Sequence, residues 1–379
     1  LKLSKRKRAP VVGLDIEAGT VAAVEVTHNG TAKLGRTGIA PLPPGTMKDG
    51  EIVDGGALAE TLKDFFAELK LPREVRVGVA NQRVVVRTLR LPNIENEGEL
   101  ESAIRFQAQD HIPMPLERAV LDFRVIARQV GESGGQMDVV VAAARREMVD
   151  SLVDALRHAG LKPVGIDVSA FGMIRALDGE IGPAPTGQVV GQGNGQDGGE
   201  AGTEDPPPES GNGVRGPVRL YCNLGDVTNL AVAIDGNCLF TRVSPFGIEG
   251  VAQRLAERRG LTLEHAREWL VHVGLERPIS AIEGDPKTVA AARDVLTEGA
   301  SKLIDELRLS LDFYGAQEGA VAVEEIVAGG PGAAIEGLGA RLQEGLGHSF
   351  RIGLPSALAH LDDQSAARLT LSYGLGLDE

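Results

Sequence analysis

Aromatic side chains are scarce in this chain of 379 residues: nine Phe, three Tyr and one Trp, 3% of the total. Proteins that hold single-stranded nucleic acid without sequence preference stack its bases on aromatic rings, and this sequence lacks material for such a platform. Charge argues the same way. Against 53 acidic residues stand 39 basic ones, a net charge of −14 that a phosphate backbone repels. Cysteine is nearly absent, and Cys222 and Cys238 are too few for a disulfide framework or a structural zinc site. No window approaches 18 uninterrupted apolar residues, so no membrane-spanning helix is expected. The first residues also lack the apolar core and cleavage site of a signal peptide. The seven histidines show no metal-ligand spacing, and there is neither a P-loop lysine signature nor a nucleophile elbow. Together these absences predict a cytoplasmic protein that binds no nucleic acid.

Glycine, by contrast, is abundant at 49 residues. The stretch TGQVVGQGNGQDGGEAGTEDPPPESGNGVRG, residues 186–216, holds many of them: 13 of its 31 residues are Gly or Pro and only four are apolar. Such a segment cannot bury enough apolar surface to offset its ordering entropy, and it reads as a disordered linker that the fold can lose. Gly193, Gly195 and Gly198 match dinucleotide-loop spacing there by chance, with no strand before them and no amphipathic helix after. Residues 1–9 form a basic tail carrying Lys2, Lys5, Arg6, Lys7 and Arg8.

A pattern occurs on both sides of the linker. VVGLDI (11–16), TVAAVEVT (20–27) and a third strand near 31–39 are separated by tight turns and followed by a helix at about 55–70, where Leu58, Leu62, Phe65, Phe66 and Leu69 share a face. After the linker come VRLYCNLG (218–225), NLAVAID (229–235) and CLFTRVS (238–244), then helices starting near 247 and 262. Cys222 and Cys238 lie two strand spacings apart, too far for a disulfide. Between the two copies sits an αβ block. It has strands at 84–91, 121–128 and 136–144, a helix opened by Asn96 and Glu99, and a second helix at 145–159 leading to a strand near 162–168. A long helix at about 286–317, EEIVAGG (324–330), a helix at 333–346 and a last helix near 363–373 complete the chain.

Each meander delivers a polar residue into a turn: Asp15 before Glu17-Ala18-Gly19-Thr20, and Asn223 before Gly225-Asp226-Val227-Thr228. Two such turns facing each other can surround phosphates with backbone N–H groups while a strand-end carboxylate holds Mg²⁺ through water. Gly329-Gly330-Pro331-Gly332 and Gly247 open helical segments where backbone can approach an anion. The candidate cofactor-binding residues are therefore Asp15, Ala18, Gly19, Thr20, Asn223, Gly225, Thr228, Gly247, Gly329 and Gly330, with Asp15 facing the metal. No catalytic residue is expected.

The phrases LPNIENEGELESAIRFQAQDHIPMPLERAVLDFRV, VGIDVSAFGMIRAL, NLGDVTNLAVAIDG, IVAGGPGAAIEGLGARLQEGLG and YGLGL, in this order, resemble the PilM family of type IV pilus assembly. That family is FtsA-related and lies within the actin-like ATPase superfamily. The resemblance implies an α/β actin-like, ribonuclease H-like duplicated fold of two lobes with an inserted αβ subdomain. The expected divisions are a first-lobe core at 10–83 and 163–185 joined by a C-terminal helix at 363–379, the insertion at 84–162, and a second lobe at 217–362. It further implies ATP and Mg²⁺ in the cleft and a groove, beside VRVGVA (75–80), for the cytoplasmic tail of a PilN-like inner-membrane protein. Other pilus components would be partners, with the protein peripheral at the inner face of the cytoplasmic membrane. The family's first loop reads aspartate, isoleucine, glycine, serine, with a lysine after the following valine. Here Glu17, Ala18 and Ala22 stand in the last three of those places. Asn223 replaces the second loop's aspartate, and Ser169 a glutamate suited to positioning water. These departures predict at most a weak ATPase. The alternatives are an active FtsA-like ATPase or filament former, and a small-molecule kinase of the same fold.

Overall fold

The computed structural model describes residues 9–28, 31–129, 135–178, 216–317 and 319–377. The expected basic tail and linker therefore lie outside the described residues except at their ends, as does the turn at Asn29 and Gly30. In chain order the first lobe contains β1 (Val11–Glu17), β2 (Thr20–His28), β3 (Ala32–Pro41), the short pair β4 (Met47–Lys48) and β5 (Glu51–Ile52), α1 (Gly55–Glu68) and β6 (Glu74–Val79). Then come β7 (Val85–Pro92), α2 (Glu97–His111), β8 (Ala119–Gln129), β9 (Gln136–Arg145), α3 (Arg146–His158), β10 (Lys162–Val168) and α4 (Ser169–Asp178). The second lobe runs through β11 (Arg219–Leu224), β12 (Thr228–Ile234), β13 (Asn237–Ser244), α5 (Ile248–Arg259), α6 (Leu263–Val273), α7 (Pro286–Gly315), β14 (Glu325–Gly329), α8 (Leu338–Leu346) and β15 (Ser349–Ile352), and α9 (Asp363–Gly376) closes the chain.

Two five-stranded sheets have the same plan, β3-β2-β1-β6-β10 and β13-β12-β11-β14-β15. In each, the three meander strands pair antiparallel and the last two strands pair parallel. The meander strands read as almost continuous apolar runs because both sheet faces are covered. On β2, Val21 and Ala23 face α1 and α3, while Ala22, Val24 and Val26 face the opposite layer. On β12, Leu230 and Val232 pack toward the outer helices, while Ala231 and Ala233 point inward.

The inner layer is made by α4 and α9, which lie between the two sheets and join residues of both lobes in one core. Their backbones touch: a Cβ on Gly374 would collide with the Gly172 carbonyl, so only glycine admits this crossing. The last turn of α9 leaves carbonyls without intrahelical partners. Arg175 Nε donates to Gly374 O at 3.1 Å and Arg76 Nη1 to Leu375 O at 3.2 Å, tying that end to the first lobe. At the C-terminal end of α4, Asp178 accepts hydrogen bonds from Tyr221 Oη and, at 3.4 Å, Arg219 Nη1 of the second lobe.

The αβ block forms its own sheet, β7-β9-β8, with α2 packed on it through Leu100, Ile104 and Ala108. Asn96 Oδ1 accepts from Glu99 N at 3.1 Å, the cap read from the sequence. β6, which carries VRVGVA, is paired on one side to β1 and on the other to β10. Among the described residues the edge strands nearby are β7 and β8 of the insertion, and β10. Two expectations need correction. The helix expected at 333–346 begins only at Leu338, since Gly337 takes φ +80° and breaks it from a short 3₁₀ turn at Pro331–Ala334. The final helix runs three residues further than expected, to Gly376. Both cysteines are free and buried, as their strand positions predicted.

Candidate functional site between the lobes

β1 and β11 end side by side at the cleft, and each hands its chain to a turn that faces the other lobe. Asp15, on β1, is 8% exposed, and Asn223, on β11, is 6% exposed. Burial, followed by the neighbouring charge of Asp226, holds the Asp15 carboxyl up to about 7. Burial also raises Glu17 well above the ordinary carboxylate range, helped by Asp226 and then Asp15. Asp226 is raised in its turn, chiefly by burial. Three acids that share a dry site cannot all ionise cheaply.

The first turn is in direct contact with the second lobe. Ala18 N donates to Asp226 Oδ2 at 2.8 Å, and Asp226 Oδ1 accepts from its own neighbour Val227 N at 2.6 Å. Glu17 lies against the opposing turn, where a Cβ on Gly225 would collide with Glu17 Oε1. Arg368 Nη1, from α9, bonds Glu17 Oε2 at 3.1 Å and also reaches Thr20 Oγ1. Over Gly19 lies Arg267 of α6, whose Nε donates to Glu249 Oε2 of α5 at 2.8 Å in a two-bond ion pair.

Of the residues singled out in the sequence, Asp15, Ala18, Gly19, Thr20, Asn223 and Gly225 meet at this junction. Gly330, at φ +81°, lies beneath Asn223, whose Oδ1 would clash with any Cβ there. The other three stand back from the cleft. Thr228 is fully buried and its hydroxyl donates to Phe246 O at 2.7 Å. Gly247 packs under the second turn, with Ile248 N bonded to Gly225 O at 2.8 Å. Gly329 faces Leu177 and Thr370 in the interlobe core. Ala22 and Ser169 are buried nearby, Ala22 among the interlobe apolar residues and Ser169 at the start of α4. Sequence reading missed Arg368, Arg267 and Glu249 and gave Asp226 no role of its own. One signal was available: Arg368 is the lone basic residue in a 14-residue helix that is otherwise almost wholly buried.

Two hollows flank the junction. One, of about 40 Å³, is lined by Asp15, Glu17, Ser169, Asn223 and Asp226. The other, of about 240 Å³, lies between α5, α6, the Pro331 turn and α9, with Glu249, Glu264, Arg267, Glu268 and Arg368 on its walls. Among the described residues no group of three or more His, Cys, Asp or Glu is placed to hold a metal ion. Among them, too, no helix is long and apolar enough to cross a membrane.

Residues 13–186 match the family described as type IV pilus assembly protein PilM. A solved PilM–PilN type IV pilus biogenesis complex is 26% identical, over 97% of this chain and 98% of that one, with a TM-score of 0.73. Residues 13–186 of this chain are thus similar to the PilM family, and its fold along nearly the whole length is like that of the PilM chain in that complex. The paired five-stranded sheets, the two helices between them and the αβ insertion are an actin-like two-lobed fold, similar to that of the PilM–PilN structure. The ethanolamine utilization protein EutJ from Carboxydothermus hydrogenoformans is 12% identical over 99% of this chain and 91% of its own, with a TM-score of 0.49. The cytoplasmic domain of EpsL, an inner-membrane component of the type II secretion system of Vibrio cholerae, is 14% identical over 66% and 74%, with a TM-score of 0.35. Likeness at those two levels carries no functional argument.

Proposed function

We propose that this protein is a cytoplasmic adaptor of type IV pilus assembly. It takes the N-terminal cytoplasmic segment of a PilN-like inner-membrane protein on its first lobe and so sits at the inner face of the membrane. The observation that carries the reading is the likeness to the PilM–PilN complex along nearly the whole length of both chains. The insertion supports it, because β8 is paired only to β9 among the described residues and leaves a strand edge to which an extended peptide can add.

The cleft in this reading is a degenerate nucleotide site. Asp15, Glu17, Asp226 and Glu249 bring four carboxylates to the place where phosphates would lie, against two guanidiniums, Arg267 and Arg368, each already paired. The hollow behind the turns, at about 40 Å³, has room for about three waters. The gathering of carboxylates supports reading the cleft as unfavourable to a magnesium-bound triphosphate, and no hydrolytic step is assigned. The test is a calorimetric titration of the intact chain with the N-terminal peptide of a PilN-like protein, with a scrambled peptide as control. Saturable binding of the true peptide alone is expected. Because strand pairing and apolar contacts would carry the affinity, it should persist at moderate salt. Equal heats from both peptides would overturn the assignment.

A further inference from the structure

In the cleft each turn receives a carboxylate from the other. Asp226, from the second lobe, occupies the Ala18 N–H, one of the backbone donors that an anion between the lobes would need. Glu17, from the first lobe, projects the opposite way onto Gly225 and is held there by Arg368. Arg368 adds a bond to Thr20, so one guanidinium spans the strand end and the turn that follows it. Arg267 and Glu249 close the far side over Gly19. The charged groups facing Glu17 are then Asp15 on its own strand, Asp226 on the second turn, Glu249 on α5, Arg267 on α6 and Arg368 on α9. The Glu17 side chain is 11% exposed and that of Arg368 17%, so the pair is desolvated and its geometry fixed.

We infer that this reciprocal exchange, Glu17 onto the Gly225 turn and Asp226 onto Ala18 with Arg368 bridging, is a built-in clasp that closes the two lobes without nucleotide and excludes phosphate-bearing ligands from the cleft. An internal carboxylate takes the part that a bound phosphate would take: it satisfies the guanidinium and brings the turns together. The inference rests on the reading of the cleft as degenerate, and it is independent of the partner site on the first lobe. A phosphate ligand could enter only by displacing both carboxylates, breaking the ion pair and leaving the Asp15 cluster beside added negative charge.

The test places spin labels on the full chain at Lys63→Cys in α1 and Asp305→Cys in α7, two exposed sites on different lobes; Cys222 and Cys238 are buried. Pulsed electron resonance then reads the interlobe distance. Expected is one narrow distribution without ligand, unchanged by about 5 mM ATP–Mg²⁺, which lies above the usual range of substrate constants. Paired Glu17→Gly and Asp226→Asn substitutions should broaden the distribution and bind ATP–Mg²⁺ at least tenfold more tightly by calorimetry. A broad distribution in the unsubstituted chain that narrows on adding ATP–Mg²⁺ would overturn the clasp, and so would a doubly substituted chain with an unaltered distribution. Should the double variant fail to fold, the unsubstituted chain with and without ATP–Mg²⁺ still decides. Failure of the PilN-like peptide to bind would instead count against the adaptor reading and leave the clasp standing.

Discussion

Asp15 sets the direction in which this protein responds to acid. Its carboxyl is raised from the ordinary 3.8 to about 7, so the native chain binds that proton more tightly than the unfolded chain does. The associated stability is whole below the unfolded value and is lost as the pH rises through about 7. Glu17 and Asp226, also raised, act in the same direction. The melting temperature should therefore fall between about pH 5 and about pH 8, and Asp15→Asn, which cannot titrate, should flatten part of that slope. A scan of melting temperature against pH for both chains checks this; equal slopes would remove Asp15 from the cause. Arg368 is the counter-charge of the cluster, and Arg368→Ala should cost about 3 kcal/mol at alkaline pH and less in acid, where Glu17 can protonate instead. Denaturant melts at the two ends of the pH range measure the difference. Of this cluster, Glu17 was legible in the sequence because it interrupts a recognisable turn. Arg368 was not, because 351 positions separate the pair and only the packing of α9 against β1 brings them together.

At the scale of elements, α4 and α9 carry the argument, since they are the layer through which the two lobes are joined. Their close approach depends on backbone meeting backbone at Gly172 and Gly374, and a carbonyl cannot move aside as a side-chain tip can. Gly374→Ala should destabilise the protein by about 2 kcal/mol or more, near the upper part of the overpacking range. Gly315→Ala, at the end of α7 with open space around its Cβ, should stay within about 0.5 kcal/mol. Chemical denaturation of the two variants compares them directly. The apolar runs of the meanders and the spacing of helix α1 made most elements readable, because a buried strand or an amphipathic helix writes its period into the sequence. The start of α8 was not readable in that way. Ala333 and Ile335 continue an apolar pattern across Gly337, and only the positive φ of that glycine shows where the helix must restart.

Across the whole molecule, duplication is what the sequence displayed most clearly, because the same run of strands and turns occurs on both sides of a glycine-rich stretch. What it could not display is how the copies face each other, since each turn is satisfied by side chains of the opposite lobe. Turn composition alone therefore marks Thr228 and Gly247 as nucleotide contacts, although they serve the interior of the second lobe instead. On the proposed adaptor reading, a closed cleft and the unpaired edge of β8 predict partner binding that does not wait on nucleotide. Steady ATP turnover should accordingly stay far below ~1 s⁻¹, the lower end of common enzyme rates, in a phosphate-release assay. The most direct measurement is calorimetric titration of the intact chain with a PilN-like N-terminal peptide, run in parallel with and without ATP–Mg²⁺. The same saturable affinity in both series is predicted. Binding that appears only with ATP–Mg²⁺, or in neither series, would contradict it.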